Sequence, residues 1–67
     1  MIIDVFDSYA AAKRALSAFI NGAERHPGLC GVEYRIYTYY SKYAIYRGRK
    51  HSDFPDDRGY IFADRVR

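Results

Sequence analysis

One stretch of helical periodicity, enclosed between strand-like segments, most constrains the fold of this 67-residue chain. Asp7 and Ser8 are two good candidates for the N-cap residue of a helix that begins at Tyr9. From there the apolar residues recur at helical spacing and fall on one side. They are Ala12, Leu16, Phe19, Ile20 and Ala23. A single helix cannot bury such a stripe alone, so we expect it to lie across one face of a sheet.

The end of this helix can be placed at two positions. Gly22 could end it as the first residue after its last turn, or the helix could continue to about His26. Pro27 and Gly28 end it in either case, because proline does not continue a helix and glycine favours the turn that follows.

Four segments rich in β-branched and aromatic residues predict strands. They cover residues 2–6, 32–40, 43–49 and 59–63, the last with an extension to Val66. The element order is therefore β-α-β-β-β. This predicts one α+β domain over residues 1–67, with the helix packed on an antiparallel sheet of three or four strands. The first strand could lie at an edge or between two later strands.

The break at Ser41-Lys42 predicts where the central hairpin closes, although neither residue favours a positive φ. Tyr40 would then lie opposite Tyr43, and Ile36 opposite Arg47. Alternate residues would share two faces. The face suited to the helix-covered core carries Val32, Tyr34, Ile36, Thr38, Tyr40, Tyr43 and Ile45, and the opposite, open face carries Glu33, Arg35, Tyr37, Tyr39, Ala44 and Tyr46. A slip of one residue would exchange the faces of one strand.

The open face offers candidate binding residues, namely Arg35, Tyr37, Tyr39 and Tyr46. Aromatic rings on a sheet can stack bases while basic side chains hold phosphates. Tyrosine and arginine are also over-represented among the residues that contribute most to protein–protein binding. The alternative is that the tyrosines simply form stabilising cross-strand pairs.

The basic excess of the chain lies in its middle. Net charge is +3, and residues 32–52 carry one acid, Glu33, against five bases. Arg47, Arg49 and Lys50 form the densest run, which we add to the candidate binding residues. They would bind an acidic partner or nucleic acid by electrostatics. Alternatively, they form a solvated strand end that protects a sheet edge from aggregation.

Other classes of function find little support. The chain has no glycine-rich phosphate loop, no serine-nucleophile motif and no zinc-ligand spacing around Cys30, His26 or His51, so we expect no catalysis, cofactor or metal. The single cysteine permits no internal disulfide, which favours a reducing compartment and a buried or inert thiol. No basic leader precedes Ile2, and no stretch has the roughly 20 apolar residues of a membrane span. We therefore expect a cytoplasmic protein without a membrane partner.

In size and element order, the chain resembles small phage-borne anti-CRISPR proteins. The resemblance is carried by the strand at residues 2–6, the alanine-rich helix start at residues 7–13 and the tyrosine-rich strands from Val32 onward. It implies a rigid inhibitor in the host bacterial cytoplasm that docks on a CRISPR–Cas effector complex and blocks DNA binding or nuclease recruitment. These proteins share no common signature, so the resemblance assigns no role to any residue.

Two alternatives remain. The chain could be a small nucleic-acid-binding module that uses the tyrosine and arginine face together with the basic run. It could also be an accessory subunit that forms a homodimer through an exposed sheet edge.

Overall fold

The computed structural model describes all 67 residues and has one helix on a four-stranded sheet. The elements are β1 (Ile2–Phe6), α1 (Tyr9–Glu24), β2 (Glu33–Tyr39), β3 (Lys42–Gly48) and β4 (Tyr60–Arg65), with 3₁₀ turns at Pro27–Leu29 and His51–Asp53. The predicted α+β class and β-α-β-β-β order are confirmed.

The helix begins where its cap residue predicts. The backbone of Ser8 is extended, and its Oγ accepts a hydrogen bond from the Ala11 amide at 3.1 Å. This bond satisfies one of the amides that the first turn leaves without a partner. The helix ends at Glu24, between the two predicted ends, so Gly22 lies inside it.

The sheet order is β1-β3-β2-β4, and every neighbouring pair is antiparallel. The first strand therefore lies at an edge, beside β3. Because β3 runs antiparallel to both β1 and β2, those two strands are parallel to each other, with β3 between them. Such a pair requires a long crossover connection, and α1 provides it.

The central hairpin closes one residue earlier than predicted. Tyr39 pairs with Lys42 and Ile36 with Ile45, so the loop is Tyr40-Ser41. The predicted pairs of Tyr40 with Tyr43 and of Ile36 with Arg47 are wrong. Each residue of β2 pairs with a β3 residue two positions earlier in the sequence than the predicted partner. A displacement of two positions keeps every side chain on its predicted face. The assignment of strand residues to faces is therefore correct, except that Tyr40 leaves the core face for the loop.

The core lies between α1 and the face of the sheet that the sequence pattern assigns to it. Its buried members are Ala12, Leu16, Ile20, Ala23, Val32, Tyr34, Ile36, Ile45 and Val66. Phe19 is only partly buried and stacks on the Tyr34 ring, with 6.3 Å between the ring centres. Val66 follows β4, and its amide donates to the Val32 carbonyl at 2.9 Å.

The segment between β3 and β4, residues 49–59, packs against the sheet at both of its ends. A Cβ on Gly48 would lie 2.5 Å from the Cβ of Asp53, so only glycine permits this approach. At the other end, Gly59 has a φ of +76° and accepts a hydrogen bond from the Thr38 amide at 2.8 Å. A Cβ there would lie 2.2 Å from Thr38 Oγ1.

Candidate functional site

The tyrosine face, which we define by Tyr37, Tyr39, Tyr46 and Tyr60, covers the side of the sheet opposite the helix. Tyr37 is its centre. The Tyr46 ring centre lies 5.0 Å away and the Tyr60 ring centre 5.5 Å away, both edge to face. Such aromatic pairs contribute about 0.5–1.5 kcal/mol each beyond the area that they bury. The rings of Tyr37, Tyr46 and Tyr60 therefore hold one another in place.

The prediction of an open face is wrong at Tyr37, whose exposed fraction is 2%. The segment 49–59 folds over this part of the sheet. The Phe54 ring centre lies 4.0 Å from the guanidinium carbon of Arg35, and the Tyr37 hydroxyl donates to the Pro55 carbonyl at 3.5 Å. Tyr37 therefore positions its neighbours and is not itself a contact surface. No sequence pattern signalled this cover, because a polar loop with three aspartates and a proline is normally solvated.

Arg35 is also engaged within the fold. Its Nε donates to Glu33 Oε2, and its Nη1 donates to the Tyr37 hydroxyl at 3.4 Å. The hydrogen bond that Arg35 donates to the Tyr37 hydroxyl is the main cause that raises the pKa of Arg35. Burial opposes that rise, and the hydrogen bond and charge of Glu33 add to it. With 15% of its side chain exposed and its charge paired, Arg35 fastens the loop to the sheet and offers little to a phosphate.

The accessible part of the aromatic surface lies toward the hairpin loop. We define the apolar tip as Tyr39, Tyr40 and Tyr60, whose exposed fractions are 39%, 92% and 43%. The Tyr39 and Tyr40 ring centres are 4.9 Å apart, edge to face. Tyr46 is half-buried beneath the same surface, and burial is the main cause that raises its pKa, followed by the charges of Tyr39 and Tyr37.

Tyr40 has a backbone conformation that tyrosine rarely adopts. Its φ is +57°, and it is the only residue other than glycine with a positive φ. A positive φ at the first loop residue but not at the second is the pattern of a type II′ turn, whose first position is ordinarily glycine. A side chain in the left-handed region costs about 1–2 kcal/mol. The sequence pattern missed this position because it placed the turn at Ser41-Lys42.

The basic run lies at the opposite end of the sheet, which we call the basic end: the N-terminal ammonium, Arg47, Arg49 and Lys50. The ammonium of Met1 donates to the Arg47 carbonyl at 3.2 Å. Arg49 has a structural role, since its guanidinium donates to the Cys30 carbonyl at 3.1 Å and to the Gly28 carbonyl. Arg47 and Lys50 form no ion pair.

Asp53 caps the turn that carries the basic end. Its carboxylate accepts hydrogen bonds from the amides of Arg49 at 2.9 Å and Lys50 at 3.3 Å. The bond from the Arg49 amide is the main cause that lowers the pKa of Asp53. The bond from the Lys50 amide and the nearby positive charges of Lys50 and the N-terminus lower it further. The carboxylate therefore partly offsets the positive charge of this end.

The predicted binding residues thus fall into two separate groups. The basic end lies beside the first two residues of β2, where Arg47 pairs with Tyr34, and the apolar tip lies beside its last three, where Tyr60 pairs with Tyr37. The seven residues of this strand span about 20 Å. Exposed rings and unpaired cations therefore do not form one continuous surface.

The rest of the surface has one depression and no cluster of metal-ligating side chains. One open depression of about 460 Å³ lies on the outer side of the helix, lined by Ala10, Lys13, Arg14 and Ser17. No three His, Cys, Asp or Glu side chains converge to hold a metal ion. Cys30 is exposed, so of the predicted buried or inert thiol the buried alternative is wrong. The chain contains no helix with both the length and the apolarity needed to cross a membrane.

Fold and surface together define a small α+β domain that presents an ordered aromatic patch at one end of its sheet. No protein-family model matches the chain, and no curated protein or solved structure shows significant similarity to it. The resemblance to anti-CRISPR proteins therefore remains a prediction.

Proposed function

We propose that this chain is a non-enzymatic inhibitor that binds a protein complex through the exposed part of its tyrosine face. The observation that carries the proposal is the pre-organised ring cluster, in which a buried Tyr37 holds the exposed Tyr60 in place. Pre-organised aromatic side chains lose little conformational entropy on binding, which is why tyrosine is frequent among the residues that dominate interfaces.

The partner in this proposal is a CRISPR–Cas effector complex in the cytoplasm of a bacterial host, as the resemblance implies. Docking would block DNA binding or nuclease recruitment by occupying a protein surface, without any chemical step. The rigid geometry favours such a role, because both ends of the segment 49–59 are fixed against the sheet and little of the surface needs to be ordered on binding.

The test is a binding panel of purified CRISPR–Cas effector complexes, with target-DNA binding and cleavage as the readout. Replacing Tyr39 and Tyr60 together by alanine should weaken binding by about 2 kcal/mol or more, which is about thirtyfold. Tyr37 is unsuitable for this test, since its removal would disturb the ring cluster. The matched control replaces Arg14 and Ser17 by alanine on the outer side of the helix. If no complex binds the parent, or the tyrosine variant binds like the control, the proposal is wrong.

A nucleic-acid-binding module is the second candidate, and the basic end favours it. Neither Arg47 nor Lys50 forms an ion pair, and only the nearby Asp53 offsets part of their charge. Charge reversal at Arg47 and Lys50 should then abolish gel shifts of short RNA and DNA, and parental binding should fall steeply with salt. Two observations weigh against this candidate. Along β2, Tyr60 and Tyr39 lie three and five residues beyond the position that pairs with Arg47, which is about 10 and 17 Å, and Arg35 is covered.

A further inference from the structure

The backbone conformation and the exposure of Tyr40 are typical of a binding residue and not of a residue that stabilises the fold. It occupies the first position of a two-residue loop with a φ of +57°, where glycine would be unstrained. Its side chain is 92% exposed and makes no hydrogen bond. Its ring has one aromatic neighbour, Tyr39, which is itself exposed. The backbone strain is therefore offset only in part within the fold, and the ring fills no part of the core.

Strained backbone conformations persist at binding sites more often than elsewhere, because there the strained residue has a task that an unstrained one could not perform. We propose that Tyr40 is an anchor that inserts its ring into an apolar pocket of a protein partner, with Tyr39 and Tyr60 packing around the mouth of that pocket. This inference rests on the proposed function and names its central residue, which sequence reasoning left outside the candidate site.

The charges around the apolar tip indicate the chemistry of the partner. Asp7 and Lys42 form an exposed pair at 3.3 Å, and Asp56 lies 4.0 Å from Arg58. Asp57 adds a third carboxylate at the turn before Tyr60, so acids outnumber bases at this end. Both cations here are paired with a carboxylate, so this end offers no free positive charge to a phosphate backbone. The matching surface is a protein pocket with an apolar floor and a neutral or basic rim.

The test places the photo-crosslinking residue p-benzoylphenylalanine at position 40, and in separate chains at positions 39, 60 and 18. Position 18 is the control, because Ala18 is exposed on the helix, on the other side of the sheet. Each chain is irradiated in an extract of bacteria that carry CRISPR–Cas effector complexes. We expect an adduct with one subunit of an effector complex, identified by mass spectrometry, at positions 39, 40 and 60 and none of that band at position 18.

Competition supplies the second readout. An excess of unlabelled parent should erase the adduct at position 40, whereas the Tyr40→Gly variant should need at least about tenfold more protein to do so. The same variant should melt higher than the parent by about 4–8 °C, since relief of strain stabilises so small a domain. A variant that is more stable and binds less well separates the loss of an anchor from the loss of the fold.

Each of the other outcomes overturns the inference. Tyr40→Gly could compete as well as the parent, or melt no higher. The adduct at position 40 could be a second copy of the chain, or a nuclease-sensitive nucleic acid. Competed adducts at positions 39 and 60 with none at 40 would overturn the role of Tyr40 and leave the proposed function standing. No competed adduct at any of the three positions would overturn both.

Discussion

The same substitution at two glycines should change the stability of this fold in opposite directions. Gly22 lies inside α1, and no atom lies within 4 Å of the position that a Cβ would occupy. Gly22→Ala should therefore stabilise the fold by about 0.5–1 kcal/mol, the usual advantage of alanine over glycine in a helix. Gly59 has a φ of +76°, where alanine costs about 1–2 kcal/mol. The contact of a Cβ with Thr38 Oγ1 at 2.2 Å adds to that cost. We expect Gly59→Ala to destabilise by at least about 2 kcal/mol.

Thermal unfolding followed by circular dichroism measures both changes. In a domain of this size, 1 kcal/mol shifts Tm by roughly 4–8 °C, so Gly22→Ala should melt a few degrees higher and Gly59→Ala at least about 8 °C lower. Adding Thr38→Ala to Gly59→Ala removes the close contact but keeps the unfavourable φ, and it should restore part of the loss. If Gly59→Ala melts within two degrees of the parent, residues 49–59 are not fixed against β2. The description of Tyr37 as covered by this segment would then be wrong.

Further predictions concern the core, the basic end and the thiol. Leu16→Ala should destabilise by about 2–5 kcal/mol, and Phe19→Ala by less because its ring is only partly buried, as urea unfolding would show. The folded pKa of Asp53 is lowered, so its stabilising contribution is present above its ordinary value of 3.8 and is lost as pH falls through the folded value. Asp53→Asn should therefore melt below the parent at pH 6, with a difference that shrinks in acid. Cys30→Ser, a reductant or a chelator should leave the melting curve unchanged, and stoichiometric metal in elemental analysis would contradict this.

The features predicted correctly from the sequence are those that depend on local chemistry. Ser8 caps the helix because its hydroxyl reaches an amide three residues away, whatever the rest of the chain does. The division of β2 and β3 into two faces was also correct, although the turn was placed wrongly. The β3 partner of each β2 residue differs from the predicted one by two positions. Only a difference of an odd number of positions would move a strand's side chains to the other face.

The features that could not be predicted depend on contacts between distant segments. Nothing local distinguishes β1 at the edge from β1 between two later strands, since the choice depends on which strand its backbone pairs with. The cover over Tyr37 likewise arises from Phe54 and Pro55, and their positions depend on the close approach of the loop at Gly48. For the same reason, the sequence pattern predicted Arg35 as a contact residue for a partner, whereas in the structure Arg35 fastens the loop to the sheet.

The position of Tyr40 in so small a domain supports a binding role more strongly than its exposure alone does. A chain of 67 residues has a total stability of roughly 3–10 kcal/mol. A left-handed tyrosine that costs about 1–2 kcal/mol therefore removes a substantial fraction of it. The same loop formed with glycine or asparagine would keep every strand pair of the hairpin and avoid the strain. The edge-to-face pair with Tyr39 offsets part of this strain, by about 0.5–1.5 kcal/mol. Because the ring fills no part of the core, we infer that contacts outside the folded chain supply the rest.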